Sequence, residues 1–275
     1  MEYISKYLSN EIREKLKLVI APMSPDKSFR KEIMHLCILF CQKRRKKAIK
    51  KSAQIHSYRI EHPELQVPFS VPRNSRRKFI REGVENISNS FEWGCRNFNP
   101  KKLDEEFIKE LIYRINPEIY RQGRADYRKL GTHITGASVT PPDPYKVRVI
   151  EMPNFINQIK NSLDENNHNV INKIKTAVYS HLHLARIHPF EDGNGRTARI
   201  FQDIILDYYN LPLPVIESGE RDTYYHLLDR AVYDWKHEKH SGELKHGATK
   251  GEHDFYTFIV GKVNVSLDHL IDCVS

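Results

Sequence analysis

The chain has no apolar run long enough to cross a bilayer. The longest, from Met34 to Phe40, is interrupted by His35, whereas a spanning helix needs about 20 apolar residues. No apolar segment of signal-peptide type opens the sequence. Cysteine is scarce: Cys37, Cys41, Cys95 and Cys273 are the four present, too few and too scattered for a disulfide framework. Cys37 and Cys41 are four apart and share a helical face, and with no second pair beside them they read as buried thiols rather than zinc ligands. A reducing, cytoplasmic setting is the expectation, with a secreted or nuclear destination left open. No internal repeat is visible, which excludes solenoids and arrays.

What is present describes a soluble protein. The 275 residues are 39% hydrophobic and 29% charged, with a mean hydropathy of −0.61. That length suits one domain with an appendage. The net charge of +9 is unevenly placed, at +11 over residues 1–100 and −2 over the remainder. The excess centres on Lys43 to Lys51, read as a solvated helix end or a dock for an acidic protein. Nucleic acid is the less favoured partner for it.

Apolar spacing predicts helices almost throughout. Ser24-Pro25-Asp26 signals a helix start, followed at helical spacing by Phe29, Ile33, Leu36, Cys37 and Phe40. Residues 61–75, with three prolines and no helical period, read as a linker. The chain then divides into a basic helical N-terminal extension and linker, 1–75, and a main domain, 76–275. Phe107, Leu111, Ile112 and Ile115 mark one helix of that domain. Ile171, Ile174, Val178, Leu182 and Ala185 mark a longer one ending before His188. Phe201, Ile204, Ile205 and Tyr208 mark another, closed by Asn210, and Tyr224, Leu228, Val232 and Trp235 a further one. Between them, 131–152 alternates turn formers with β-branched residues and is expected to form a small β-hairpin. Residues 236–253 read as a polar surface loop before a last helix from about Asp254 to Cys273. The loop's histidines lack acidic or cysteine partners at ligand spacing.

The chemistry concentrates in His188-Pro189-Phe190-Glu191-Asp192-Gly193-Asn194-Gly195-Arg196-Thr197-Ala198-Arg199. A glycine-rich turn opening a helix presents backbone N–H groups and the helix's partial positive charge, a cradle for phosphate. Arg196 and Arg199, three apart, share a face and can hold further phosphate oxygens by directed hydrogen bonds. Asp192 is a hard oxygen ligand, and one carboxylate plus substrate phosphates is how proteins usually hold Mg²⁺. His188 titrates near neutrality and can take a proton from a hydroxyl.

These twelve residues resemble the Fic motif, HxFx(D/E)GNGRxxR, at every position, and the similarity extends from about Ser88 to the C-terminus. His181, seven residues earlier, also fits the family pattern. The resemblance implies a mainly α fold: a Fic-type helical bundle, a small β-hairpin flap at 131–152 that pairs with a target segment, and the helical N-terminal extension. It implies a protein adenylyltransferase that moves AMP from ATP to a Ser, Thr or Tyr hydroxyl and releases pyrophosphate. His188 would be the general base and Asp192 the Mg²⁺ ligand. Gly193, Asn194, Gly195 and Arg196 would hold the α- and β-phosphates, Arg199 the γ-phosphate, and Tyr224 or Tyr225 would lie near the adenine. Phe190 would anchor the loop in the core. Kinase-like relatives have lysine where Gly195 stands, so Gly195 favours nucleotidyl transfer.

Many Fic proteins also carry an inhibitory helix, (S/T)xxxE(G/N), whose glutamate pairs with the motif's second arginine. Ser88 and Glu92, on a helix expected at about 84–95, match that pattern, although Trp93 replaces Gly or Asn. Glu92 is therefore the expected brake on Arg199. Removal of AMP from a modified protein, and a protein- or nucleic-acid-binding module with a silent core, are the alternative functions. A homodimer stays open.

Overall fold

The computed structural model describes residues 2–20, 29–65, 78–120, 123–163, 169–240 and 247–272. The helical periodicities become helices: α1 (Lys6–Ile20), α2 (Phe29–Glu61), α3 (Lys78–Asn97), α4 (Glu105–Ile115), α5 (Pro144–Lys146), α6 (Met152–Ser162), α7 (Val170–Ile187), α8 (Asn194–Tyr208), α9 (Arg221–Asp234) and α10 (Lys250–Ile271). Local chemistry sets their ends. Asp104 caps α4 by accepting from the Phe107 N–H at 2.9 Å, and Thr249 with Glu252 forms a reciprocal capping box on α10. Past α8, Asn210 takes a left-handed conformation, φ 56°, which stops the helix.

α7 and α8 pack on each other at the centre. α8 is buried along nearly its whole length, from Asn194 to Leu206, because α3 and α4 cover one side and α2 another. α9 and α10 pair and close the opposite side against α7. α1 and α2 enter the same core: Ile4, Ile12, Leu16, Ile49, Ile55, Tyr58 and Ile60 belong to one apolar cluster with the central helices. Fully burying a side chain of that size contributes about 1.5–3 kcal/mol, so these N-terminal helices are integral to the packing. Part of the basic run is spent on this docking. Lys50 pairs with Asp207 at 2.5 Å, and Arg45 donates to the His269 carbonyl and pairs with Asp272.

Three sequence expectations change. No strand occurs among the described residues, so the hairpin expected at 131–152 is replaced by an irregular loop. The chain turns helical at Pro144, where Asp143 accepts from the Tyr145 N–H at 2.8 Å. From there α5, a π-helical turn (Val147–Glu151) and α6 run on without interruption. The expected polar loop at 236–253 is helical at both ends, with a π-helix over Trp235–His240 and α10 starting at Lys250. The reading of 61–75 as linker covers Glu61, which is the last residue of α2. Residues 66–75, and the helix start at Ser24-Pro25-Asp26, lie outside the described residues.

The α3–α8 crossing is tight at Gly94, where an added Cβ would lie 2.1 Å from Ile204 Cδ1 and 2.9 Å from its Cγ1. Gly94→Ala is expected to destabilise the fold by about 1–3 kcal/mol through overpacking. Thermal unfolding measures this, and an unchanged Tm would contradict so close a crossing.

Candidate active site

The loop between α7 and α8 is held by its own backbone chemistry. His188 caps α7 in a left-handed conformation, φ 49°. Gly193 opens α8 at φ 82°, a conformation suited to glycine. A Cβ there would also meet Ile112 Cδ1 at 2.5 Å and Asn116 Nδ2 at 2.8 Å. Phe190 is fully buried beneath the loop. Asn194 ties it shut: its Oδ1 accepts from the Phe190 N–H at 2.9 Å and its Nδ2 donates to the Phe190 carbonyl at 2.8 Å. Arg128 braces the other side by donating to the carbonyls of His188 and Leu130, at 2.8 and 2.9 Å, and of Pro142. The first turn of α8 has N–H groups without intrahelical acceptors.

Asp192 Oδ2 accepts from Arg196 and from Asn116, each at 2.9 Å. Its other carboxylate oxygen and its exposed position suit a hard cation shared with phosphate oxygens. His188 donates a ring N–H to the Ala185 carbonyl, which leaves the other ring nitrogen with a lone pair. Burial lowers its pKa to about 4, outweighing that hydrogen bond. The imidazole is therefore neutral near pH 7 and able to accept a proton.

Arg199 is only 4% exposed, and a buried guanidinium must be paired. Its Nε donates to Ser57 Oγ at 2.9 Å and its Nη2 to the Ser57 carbonyl at 3.1 Å. The same Nη2 pairs with Glu61 Oε1 at 2.5 Å, and Nη1 reaches the Tyr224 hydroxyl at 3.3 Å. Burial alone would raise the Glu61 carboxyl, but Arg199, with Arg196 and Tyr225, holds it below the usual carboxylate value. Glu61 also lies against the loop: a Cβ at Gly195 would meet its Oε1 at 2.5 Å. The end of α2 is anchored. Arg221 donates to the Ile60 carbonyl at 2.9 Å, and the Ser218 N–H donates to His56 Nδ1 at 2.9 Å.

Glu61, His188, Gly195, Tyr224 and Tyr225 all line one cavity of about 490 Å³. Its walls are Ile134 to Ala137 and Val139 of the irregular loop, together with Leu228 and Val232 of α9. The Ser138 N–H and hydroxyl both donate to the Asp229 carboxylate, at 2.7 and 2.6 Å, fastening that loop to α9.

The chain matches the Fic/DOC family over residues 102–206, a span that ends inside α8 and contains the whole loop. Residues 102–206 thus match a Fic domain. The chain is 42% identical over 158 residues to a probable protein adenylyltransferase of Aquifex aeolicus, covering 56% of this chain and 45% of that protein. It is 27% identical over 126 residues to the protein adenylyltransferase Fic of Drosophila mojavensis, covering 46% and 23%. The matched region is thus less than half the length of these relatives. A Fic domain containing signaling protein from Bacteroides thetaiotaomicron shares the fold across 97% of this chain and 96% of its own, at a TM-score of 0.74 and 20% identity. Fic-1 from C. elegans shares it at a TM-score of 0.66 and 16% identity.

Of the motif residues His188 and Gly195 line the cavity, while Asp192, Gly193, Asn194, Arg196 and Arg199 lie outside its lining, and two further placements differ from expectation. Glu92 does not meet Arg199. It lies exposed on α3, pairing with Arg96 at 3.4 Å, while Ser88 donates to Gln54 at 2.8 Å. The partner of Arg199 is Glu61, with Ser57 one helical turn earlier. Tyr224 lines the cavity but is fully buried, and its hydroxyl is engaged by Arg199 and His181 rather than free. Tyr225 sits half-buried nearer the rim, with Arg221 4.8 Å from its ring centre. Besides Ser57 and Glu61, the sequence reading missed Asn116 and Arg128. Ser57-Tyr58-Arg59-Ile60-Glu61-His62 carries the same serine–glutamate spacing as the segment chosen, so the signal was present. Reading the proline-rich stretch as linker from residue 61 onward hid it.

The depressed imidazole has a definite sign. Between pH 6.5 and about 4 the unfolded chain binds a proton at His188 that the folded chain does not. Stability therefore falls as pH drops through that window. An NMR titration should place the His188 midpoint near 4, and His188→Ala should flatten the acid limb of the Tm profile. A midpoint near 6.5 would contradict the packing around the ring.

Proposed function

We propose that this protein transfers AMP from ATP to a Ser, Thr or Tyr hydroxyl of a target protein and is held in check by Glu61. The observation that carries this reading is a neutral, oriented His188 sharing one cavity with the open first turn of α8. ATP would lie with its base among Val139, Leu228, Val232 and Tyr225 and its phosphates over Gly193, Asn194, Gly195 and Arg196. Asn194's side chain is spent on holding the loop, so its share in phosphate binding would come from its backbone. His188 would take the hydroxyl proton as that oxygen attacks the α-phosphorus. The bond from the α-phosphorus to the bridging oxygen would break in line, and pyrophosphate would leave with the bonding electrons. Catalysis of this kind is positioning and charge neutralisation. Asp192 would hold Mg²⁺, which when bound would neutralise phosphate charge. The carboxylate's second oxygen and its exposure fit that role.

Autoinhibition follows from competition. Arg199 is the cation expected to meet the γ-phosphate, and Glu61 already occupies it from 2.5 Å. ATP can take its productive pose only after that carboxylate withdraws. A second reading has support from the same geometry: Glu61 and His188 face one cavity, where a carboxylate could orient water to remove AMP from a modified protein. Binding through the basic segment with a silent core has less support, since the catalytic residues are assembled.

The test uses ATP labelled at the α or the γ phosphate. Glu61→Gly is expected to increase α-label transfer to protein by about tenfold or more, the effect of withdrawing a contact worth about 1.4 kcal/mol. His188→Ala should abolish transfer, and Glu92→Gly should leave it at the wild-type level. Label from the γ position would overturn the reading. Loss of AMP from a pre-modified target, faster with wild type than with Glu61→Gly, would favour the second.

A further inference from the structure

Behind Arg199 lies a buried chain whose hydrogen-bond directions can be assigned. His181 on α7 is fully buried. Burial, then the nearby Arg199 charge, lowers its imidazole to about 3, so it is neutral and has one donor and one acceptor nitrogen. Its Nδ1 lies 2.9 Å from Gln202 Oε1 on α8, an oxygen that only accepts. The ring proton is therefore on Nδ1. Nε2, with the lone pair, must accept the hydroxyl proton of Tyr224 on α9 at 2.8 Å. With its hydrogen committed, the Tyr224 oxygen can offer Arg199 only lone pairs, and Arg199 Nη1 donates to it at 3.3 Å.

The other acceptors of Arg199 all belong to one element. Ser57 Oγ, the Ser57 carbonyl and Glu61 sit on the last turns of α2. Any displacement of α2 that withdraws Glu61 also loosens both Ser57 contacts. The Tyr224 contact is made from α9 and not from α2, and it rests on α7, α8 and α9, which pack together.

We propose that His181 and Tyr224 form a positioning relay that keeps Arg199 aimed at the terminal phosphate of ATP once Glu61 has left. The proposal rests on the adenylyltransferase reading of the cleft. Tyr224 is on this account a support for the arginine, and His181 fixes which way its hydroxyl points. ADP lacks the phosphate that Arg199 would meet, so the relay bears on ATP alone.

The experiment measures ATP and ADP binding by titration calorimetry in the Glu61→Gly protein and in Tyr224→Phe, His181→Leu and double variants built on it. Tyr224→Phe removes only an oxygen. It is expected to weaken ATP about tenfold, the scale of a hydrogen bond to a charged group, while ADP stays within about twofold. His181→Leu should behave alike, the double variant should lose no more than either single variant, and His181→Gln, which keeps an acceptor, should recover most of the affinity. In turnover assays the loss should fall on KM for ATP rather than kcat. Equal weakening of ATP and ADP would make Tyr224 a wall of the base pocket and overturn the relay. So would unchanged ATP binding, or losses that multiply in the double variant. Should His181→Leu fail to fold, Tyr224→Phe decides alone. Failure of the adenylyltransferase reading shows separately, as bound nucleotide without α-label transfer by the Glu61→Gly parent.

Discussion

A guanidinium cannot be buried alone. Arg199 sits under the loop of the Fic motif on the most enclosed helix of the fold, and its charge has to be met on every side. That requirement is met largely by the end of α2. Its last turns bring Ser57 and Glu61 to the guanidinium from an element more than a hundred residues away in sequence. It also explains the polar line through His181 and Gln202 behind the guanidinium. The same demand means that the resting fold has already satisfied this charge with Glu61, Ser57 and Tyr224.

Around that point the structure divides its labour. The loop is fixed by groups that need no ligand: Phe190 in the core, Asn194 clasping the Phe190 backbone, Arg128 gathering the carbonyls of His188, Leu130 and Pro142. These keep the first turn of α8 open and His188 turned towards the cavity. Asp192 is the exception, since its carboxylate is shared with Arg196 and Asn116 but stands exposed. The braced part of the loop thus presents the first turn of α8, and the Asp192 carboxylate stands on its solvent side.

The N-terminal helices show how charge and packing combine. The basic segment gives α2 the polarity of a solvated helix, yet its C-terminal half carries Ile49, Ala53, Ile55, Tyr58 and Ile60 into the core. Arg45 and Lys50 turn towards acidic or carbonyl partners on neighbouring helices. Anchored by Arg221 and by Ser218, the end of α2 cannot shift without disturbing residues that border the cavity.

The sequence by itself determined the site's chemistry, because a short-range constellation depends on offsets along one chain. His188, Asp192, the glycines and the two arginines are presented together by a single helix–loop–helix, and their order alone is what the proposed base, cation ligand and phosphate cradle are read from. The amphipathic periods of α4, α7, α8 and α9 were legible for the same local reason. Only the tertiary structure decided which glutamate reaches Arg199. Ser57–Glu61 and Ser88–Glu92 share one spacing, and nothing local to either says which helix end faces α8. Burial decides it, since α3 turns Ile87, Phe91 and Gly94 inward and leaves Glu92 in solvent, whereas α2 delivers its last turn to the buried cation. The hairpin misreading has a related cause: alternation and prolines at 131–152 describe an extended chain, but pairing it into strands requires a partner that the described residues do not supply.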